Sequence, residues 1–163
     1  MLHFVGFGTY KIQDEETLTN LLRKGLQLGY CKHIDTARYY NNEIALGKAI
    51  KTVIAEDRCK REDLFIATKT FNHIDSDPVL ELKEALKLMQ LDYVDLYYLH
   101  WPFCDMDPKG EKWTHRSLEE CWAKFELCVK KGYAKNLGIS NFNGQLLTEL
   151  LTICKIKPIV LQI

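Results

Sequence analysis

This 163-residue sequence is as informative for what it lacks as for what it holds. It has no charge excess: Lys+Arg and Asp+Glu balance at 22 each. The balance argues against a broad basic surface for nucleic acid or anionic membrane and leaves room for a local basic site for a cofactor phosphate. No apolar run is long enough to span a bilayer. The six cysteines (Cys31, Cys59, Cys104, Cys121, Cys128 and Cys154) include no Cys-x-x-Cys pair. With no secretory signal at the N-terminus, they read as reduced thiols in a cytoplasmic protein. Neither the thiol nor the His spacing suits zinc, so no metal is expected. Gly-x-Gly-x-x-Gly is also missing from every strand–helix turn. Gly6-Phe7-Gly8 is too short and lacks the third glycine, so a Rossmann fingerprint is not supported.

What is present is a chain that is 47% hydrophobic and 27% charged, the balance of one globular domain able to bury a core. Its periodicity alternates. Phe4 to Tyr10 reads as a strand leaving through glycines. Asp14-Glu15-Glu16 then puts negative charge on a helix start, and Leu18, Leu21, Leu22 and Leu26 follow at helical spacing until Gly29. The second strand ends at Asp35, and Asn42 reads as the N-cap of a second helix. Leu64 to Lys69 is a third strand, and Asp77-Pro78 opens a third helix. Tyr93 to Leu99 is a fourth strand, after which Pro102 forces a loop running to about Arg116. Ser117-Leu118-Glu119-Glu120 reads as a capping box. On the helix that follows, Cys121 and Cys128 share the buried face. Ala134 to Ile139 is a fifth strand, Leu146 to Cys154 a fifth helix, and Ile159 to Ile163 a sixth strand.

Six strands joined by five helices imply a parallel α/β sheet with right-handed crossovers, closed either as an open doubly wound sheet or as a (β/α) barrel. In both architectures the carboxyl ends of the strands converge on one rim, where such folds place their chemistry. Asp35, Lys69, His100, Ser140 and Gln162 all fall at strand ends, and Tyr40 lies in the loop after Asp35. Each alone suits a bland role, as an ion pair, a loop brace or a packing residue. Together they form a proton-delivery device. A Tyr phenol is a weak acid near neutrality, and a neighbouring Lys ammonium favours the phenolate and so strengthens it. Asp35 is the partner that lets the Lys stay charged when buried. His100 can orient a substrate oxygen. Such a set suits an oxygen gaining negative charge, as in the reduction of a carbonyl.

The motifs extend beyond this tetrad. They include Gly8-Thr9-Tyr10, His33-Ile34-Asp35-Thr36-Ala37-x-x-Tyr40-x-Asn42-Glu43, Thr68-Lys69 and Leu99-His100-Trp101-Pro102. Gly138-Ile139-Ser140-Asn141-Phe142 and the terminal Gln162-Ile163 complete the series. In that order they resemble the aldo-keto reductases, specifically the aldose reductase-like group, from Gly6 to Ile163. The resemblance implies a (β/α)8 TIM barrel that reduces small-molecule aldehydes and ketones with NADPH. It assigns Tyr40 as proton donor, Asp35 and Lys69 as the groups that tune it, and His100 as the group that orients the carbonyl. It places Ser140, Asn141 and Gln162 on the nicotinamide carboxamide, with Gly8, Thr9, Tyr10 and Asp35 also bordering the cofactor. Tyr10, Phe71, Trp101 and Trp113, with His100, are implied at the substrate.

The sequence departs from the family in extent. A (β/α)8 barrel takes about 250 residues, and residues 1–163 read as a single barrel domain without strands seven and eight and their helices. In the family that portion carries an aromatic residue on the nicotinamide, the basic loop for the 2′-phosphate and the substrate-specificity loop. The expectation is a 163-residue product less stable than its relatives, binding NADPH weakly or not at all. Where the family is monomeric, its outer strands invite self-association. The alternative function is a catalytically inactive barrel fragment with at most an interaction role. A metal-using barrel enzyme is disfavoured because no strand end carries paired His residues.

Overall fold

The computed structural model describes residues 5–29, 32–103 and 115–163. Six strands alternate with five helices: β1 Gly6–Gly8, α1 Glu15–Gln27, β2 His33–Asp35, α2 Glu43–Ala55, β3 Phe65–Thr70, α3 Pro78–Met89, β4 Val94–Leu99, α4 Leu118–Lys130, β5 Ala134–Ser140, α5 Gly144–Ile153 and β6 Leu161–Gln162. All neighbouring strands pair in parallel, in the sequential order β1-β2-β3-β4-β5-β6. The outer strands β1 and β6 are shorter than their apolar runs suggest. Each has one partner strand among the described residues, so fewer ladder bonds hold its ends.

Side-chain polarity sets most helix boundaries. The side chains of Asp14, Asp77, Ser117 and Asn143 accept bonds from backbone amides in the first turns of α1, α3, α4 and α5. Gly29 and Gly132 take left-handed φ after α1 and α4. Two expectations need correction. Ser117 accepts from the Glu120 amide at 3.2 Å, but its hydroxyl also donates to Glu120 Oε2, so the reciprocal half of the capping box is a side-chain contact. Asn42 stands at the N-cap position of α2 yet makes no side-chain cap bond. Its amide is engaged elsewhere, in the loop that carries Tyr40.

Every residue of β3 and β4 is buried, because helices cover one face of the sheet and inward side chains fill the other. The larger cluster lies between sheet and helices and includes Ile66, Tyr97, Leu99, Leu82, Trp122 and Phe125, with Cys121 and Cys128 on the buried face of α4 as expected. Phe65, Ala67, Leu96 and Tyr98 form the inner cluster, with Val160 packed against it. Two glycines permit close approach. A Cβ on Gly138 would lie 2.6 Å from the Tyr98 ring, and one on Gly47 would lie 2.4 Å from the Met89 carbonyl oxygen, where α2 crosses α3. Among the described residues, Cys59, Cys128 and Cys154 are free thiols. No helix among the described residues is long and apolar enough to cross a membrane.

Candidate active site

Strand periodicity delivers the central group. Phe65 and Ala67 pack on the inner face of β3, and Lys69 follows two residues on, so its side chain emerges from that cluster toward the rim. Lys69 is only 1% exposed, yet each of its ammonium hydrogens has an acceptor. These are Asp35 Oδ1, the Thr36 carbonyl at 3.1 Å and Tyr40 Oη at 3.2 Å. A buried cation is tolerable when paired and fully bonded in this way. Asp35, 9% exposed at the end of β2, uses its second oxygen to accept from Gln162 Nε2 at 3.1 Å. Fully buried Thr9 binds the Asp35 carbonyl through its amide (3.0 Å) and its hydroxyl (3.2 Å).

Tyr40 rides on a 3-10 turn, Arg38–Tyr40, which Asn41 closes in the left-handed region at φ 55°. Asn42 braces this turn. Its Nδ2 donates to the carbonyls of Thr9 and Ile12, both at 2.9 Å, while its Oδ1 accepts from the Thr36 hydroxyl at 2.9 Å. Gln13 Nε2 adds a bond to the Tyr40 carbonyl at 2.7 Å. An Asn in front of a helix signals a cap, and only the three-dimensional neighbours reveal this bracing use. Nothing in the sequence signals the part played by Gln13.

His100 follows β4, and its amide donates to the Thr70 carbonyl at 2.8 Å. Its ring stacks on Phe71 (centroids 5.0 Å apart, planes 12°) and stands edge-on to Tyr40 at 6.1 Å. Burial, reinforced by the Lys69 ammonium and opposed by Asp35, pulls the His100 pKa down to about 4. The imidazole is therefore neutral near pH 7. Its Nδ1 is buried with no hydrogen-bond partner among the described residues.

Tyr10, Tyr39, Tyr40, Phe71, His100 and Trp101 line one open cleft of ≈ 430 Å³. Tyr10 packs on Tyr40 (5.0 Å), and Tyr39 meets Phe71 edge-on (5.6 Å). Tyr39 was not expected here; exposed aromatics in a loop carry no periodic signal. Trp113, expected at the substrate, lies outside the described residues. On the β5–β6 side, Ser140 is buried, and Asn141 takes a left-handed φ of 60°. Asn141 Nδ2 donates to the His100 carbonyl (2.8 Å) and to Ser140 Oγ (3.0 Å). In these bonds Ser140 Oγ accepts while the Asn141 and Gln162 amide nitrogens donate, so the Ser140 hydroxyl hydrogen, Asn141 Oδ1 and Gln162 Oε1 can serve a ligand. One donor and two acceptors complement a primary carboxamide, which offers one acceptor and two N–H donors. Nothing lies within 4 Å of where a Cβ on Gly8 would stand, leaving room for a ligand close to the backbone. No group of three His, Cys, Asp or Glu side chains among the described residues could hold a metal ion.

Comparison with known proteins bears on the family and the fold. The sequence model of the Aldo/keto reductase family matches residues 5–163. An aldose reductase of Encephalitozoon cuniculi is 38% identical over 169 residues, covering 98% of this chain and 56% of that protein. An NADPH-dependent D-xylose reductase of Candida boidinii is 35% identical, with 98% and 54% covered. Among solved structures, a Bombyx mori aldo-keto reductase in complex with NADP superposes with a TM-score of 0.84 at 29% identity, covering 96% of this chain and 52% of that one. The aldose reductase of Giardia lamblia gives 0.82 at 33%, with 96% and 55% covered. The chain thus spans about half the length of the relatives it matches.

Proposed function

The chain belongs to the aldo/keto reductase family, its six strands and five helices forming an incomplete (β/α)8 barrel, and from that premise we propose that its rim reduces small-molecule aldehydes and ketones with NADPH. The observation that carries this reading is the bond from the Lys69 ammonium to Tyr40 Oη. Because Tyr40 accepts there, its own hydroxyl hydrogen is left to donate into the cleft. Bound along the rim, NADPH would supply a hydride to the carbonyl carbon. Tyr40 gives its proton to the carbonyl oxygen, which completes the alcohol. Lys69 stabilises the phenolate left behind, and Asp35 offsets the ammonium charge in a buried place. Neutral His100 forms a hydrogen bond that orients the substrate oxygen. Ser140, Asn141 and Gln162 hold the nicotinamide carboxamide, with Gly8, Thr9 and Tyr10 bordering the cofactor. Tyr10, Phe71 and Trp101 enclose the organic part of the substrate.

A second reading is favoured by the extent of the match: these 163 residues alone act as a catalytically silent fragment with weak cofactor affinity. Titration with NADPH, followed by nicotinamide fluorescence, separates the two. The first reading predicts saturable binding weakened about tenfold by Gln162→Leu, the equivalent of one lost polar contact. Absence of saturation in the wild-type chain would support the silent fragment.

A further inference from the structure

Beside the cleft, two loops meet at one buried side chain. Asn72 is 0% exposed. Its Nδ2 donates to the Pro102 carbonyl at 3.0 Å and to the Arg116 carbonyl at 2.8 Å, and its Oδ1 accepts from the Arg116 amide at 3.2 Å. A side-chain amide presents the same donor–acceptor edge as a peptide, so Asn72 pairs with Arg116 much as a neighbouring strand would. The exchange is reciprocal. The Arg116 guanidinium donates to the carbonyls of His73 and, at 2.6 Å, Ile74, in the loop that holds Asn72.

Neither residue belongs to the tetrad or to the cofactor side of the rim, yet their positions bear on the cleft. Phe71, which precedes Asn72, stacks on His100. Trp101, which precedes Pro102, is 47% exposed in the cleft wall. Ser117, which follows Arg116, caps α4. The clasp therefore ties together the backbones on which Phe71 and Trp101 stand and anchors both to a helix start. We propose that Asn72 and Arg116 are a positioning pair for substrate recognition, fixing the spacing of Phe71 and Trp101 that receives the planar part of an aromatic carbonyl substrate. This inference rests on the carbonyl-reductase reading of the cleft. A small aliphatic aldehyde needs only Tyr40 and His100, so the clasp should matter little to it.

The test uses Arg116→Ala, which keeps the Asn72 pairing with the backbone, and Arg116→Lys as the conservative variant. Asn72→Ala strips three bonds from a buried position and is the harsher change. For benzaldehyde, Arg116→Ala is expected to raise KM about tenfold with kcat within about threefold, and Arg116→Lys to fall between it and wild type. For propanal, KM should be unchanged. Amide hydrogen exchange should quicken at Asp75, Ser76 and position 116, whose amides bond to His73 and Asn72, but not within β4. Equal KM shifts for both aldehydes, or a fall in kcat with KM intact, would overturn the proposal, because a merely structural role produces those results. If the wild-type chain reduces neither aldehyde, the functional reading fails on its own. Exchange then decides the clasp, and unaltered protection at Asp75, Ser76 and position 116 in Arg116→Ala rejects it.

Discussion

Replacing Lys69 by Met separates the charge of this residue from its packing. Met fills much the same volume as the aliphatic stem of Lys and suits the buried path along β3. What disappears is the ammonium, and with it the bonds to Asp35, Thr36 and Tyr40. Asp35 is then a carboxylate at 9% exposure with Gln162 Nε2 as its remaining side-chain partner among the described residues. Removing one member of a buried ion pair costs about 3–5 kcal/mol, mostly from the uncompensated charge left behind. With a urea m-value of about 2 kcal/mol/M, the unfolding midpoint should fall by about 2 M. Asp35→Asn made in the Lys69→Met background removes the stranded charge while keeping an oxygen that can accept from Gln162. The double variant should therefore be more stable than Lys69→Met alone, with a coupling energy of about 2–3 kcal/mol in the double-mutant cycle. Urea unfolding of the four proteins at pH 7 measures this directly. A loss below about 1 kcal/mol for Lys69→Met, or additive single effects, would refute the argument that the pair is a coupled buried unit.

Two further predictions concern pH and packing. The folded-state pKa of His100 is about 4, below its ordinary 6.5, so between these values the unfolded chain takes up the proton first. The His100 contribution is intact above about pH 6.5, declines as pH falls toward 4 and is constant below that. Urea unfolding at pH 7 and 4.5 should therefore show a larger loss in wild type than in His100→Gln, and equal losses would contradict the assignment. Gly47→Ala would set a Cβ 2.4 Å from the Met89 carbonyl oxygen, a backbone atom that cannot rotate away. Forcing α2 from α3 should cost about 1–3 kcal/mol in chemical denaturation, whereas a neutral substitution would show that the helix crossing is looser than described.

Much of the site was legible because parallel α/β topology turns sequence position into spatial position. Polar residues that end apolar runs must arrive at one rim, so sequence position alone groups Asp35, Lys69 and His100. Their register bears this out: Asp35 lies opposite Ala67, two residues before Lys69, and Lys69 lies opposite Tyr98, two residues before His100. Loop residues were harder to read. Asn42 has the sequence context of a helix cap, and whether its amide faces its own helix or the loop after β1 depends on contacts some 30 residues away. Asn72 and Gln13 are single polar residues without periodicity, and Tyr39 resembles any exposed loop aromatic. Their roles come from partners distant in sequence, and local spacing holds no record of them.

The central claim is that Tyr40 delivers the proton to a carbonyl oxygen. Its most direct test is NADPH oxidation with a reactive aromatic aldehyde, comparing wild type with Tyr40→Phe while cofactor affinity is checked in both. The account predicts turnover in wild type and a rate lowered by about 10²-fold or more in Tyr40→Phe, with NADPH binding retained. A Tyr40→Phe variant that reduces the aldehyde at the wild-type rate, or a wild-type chain that binds NADPH and never oxidises it, would contradict the claim.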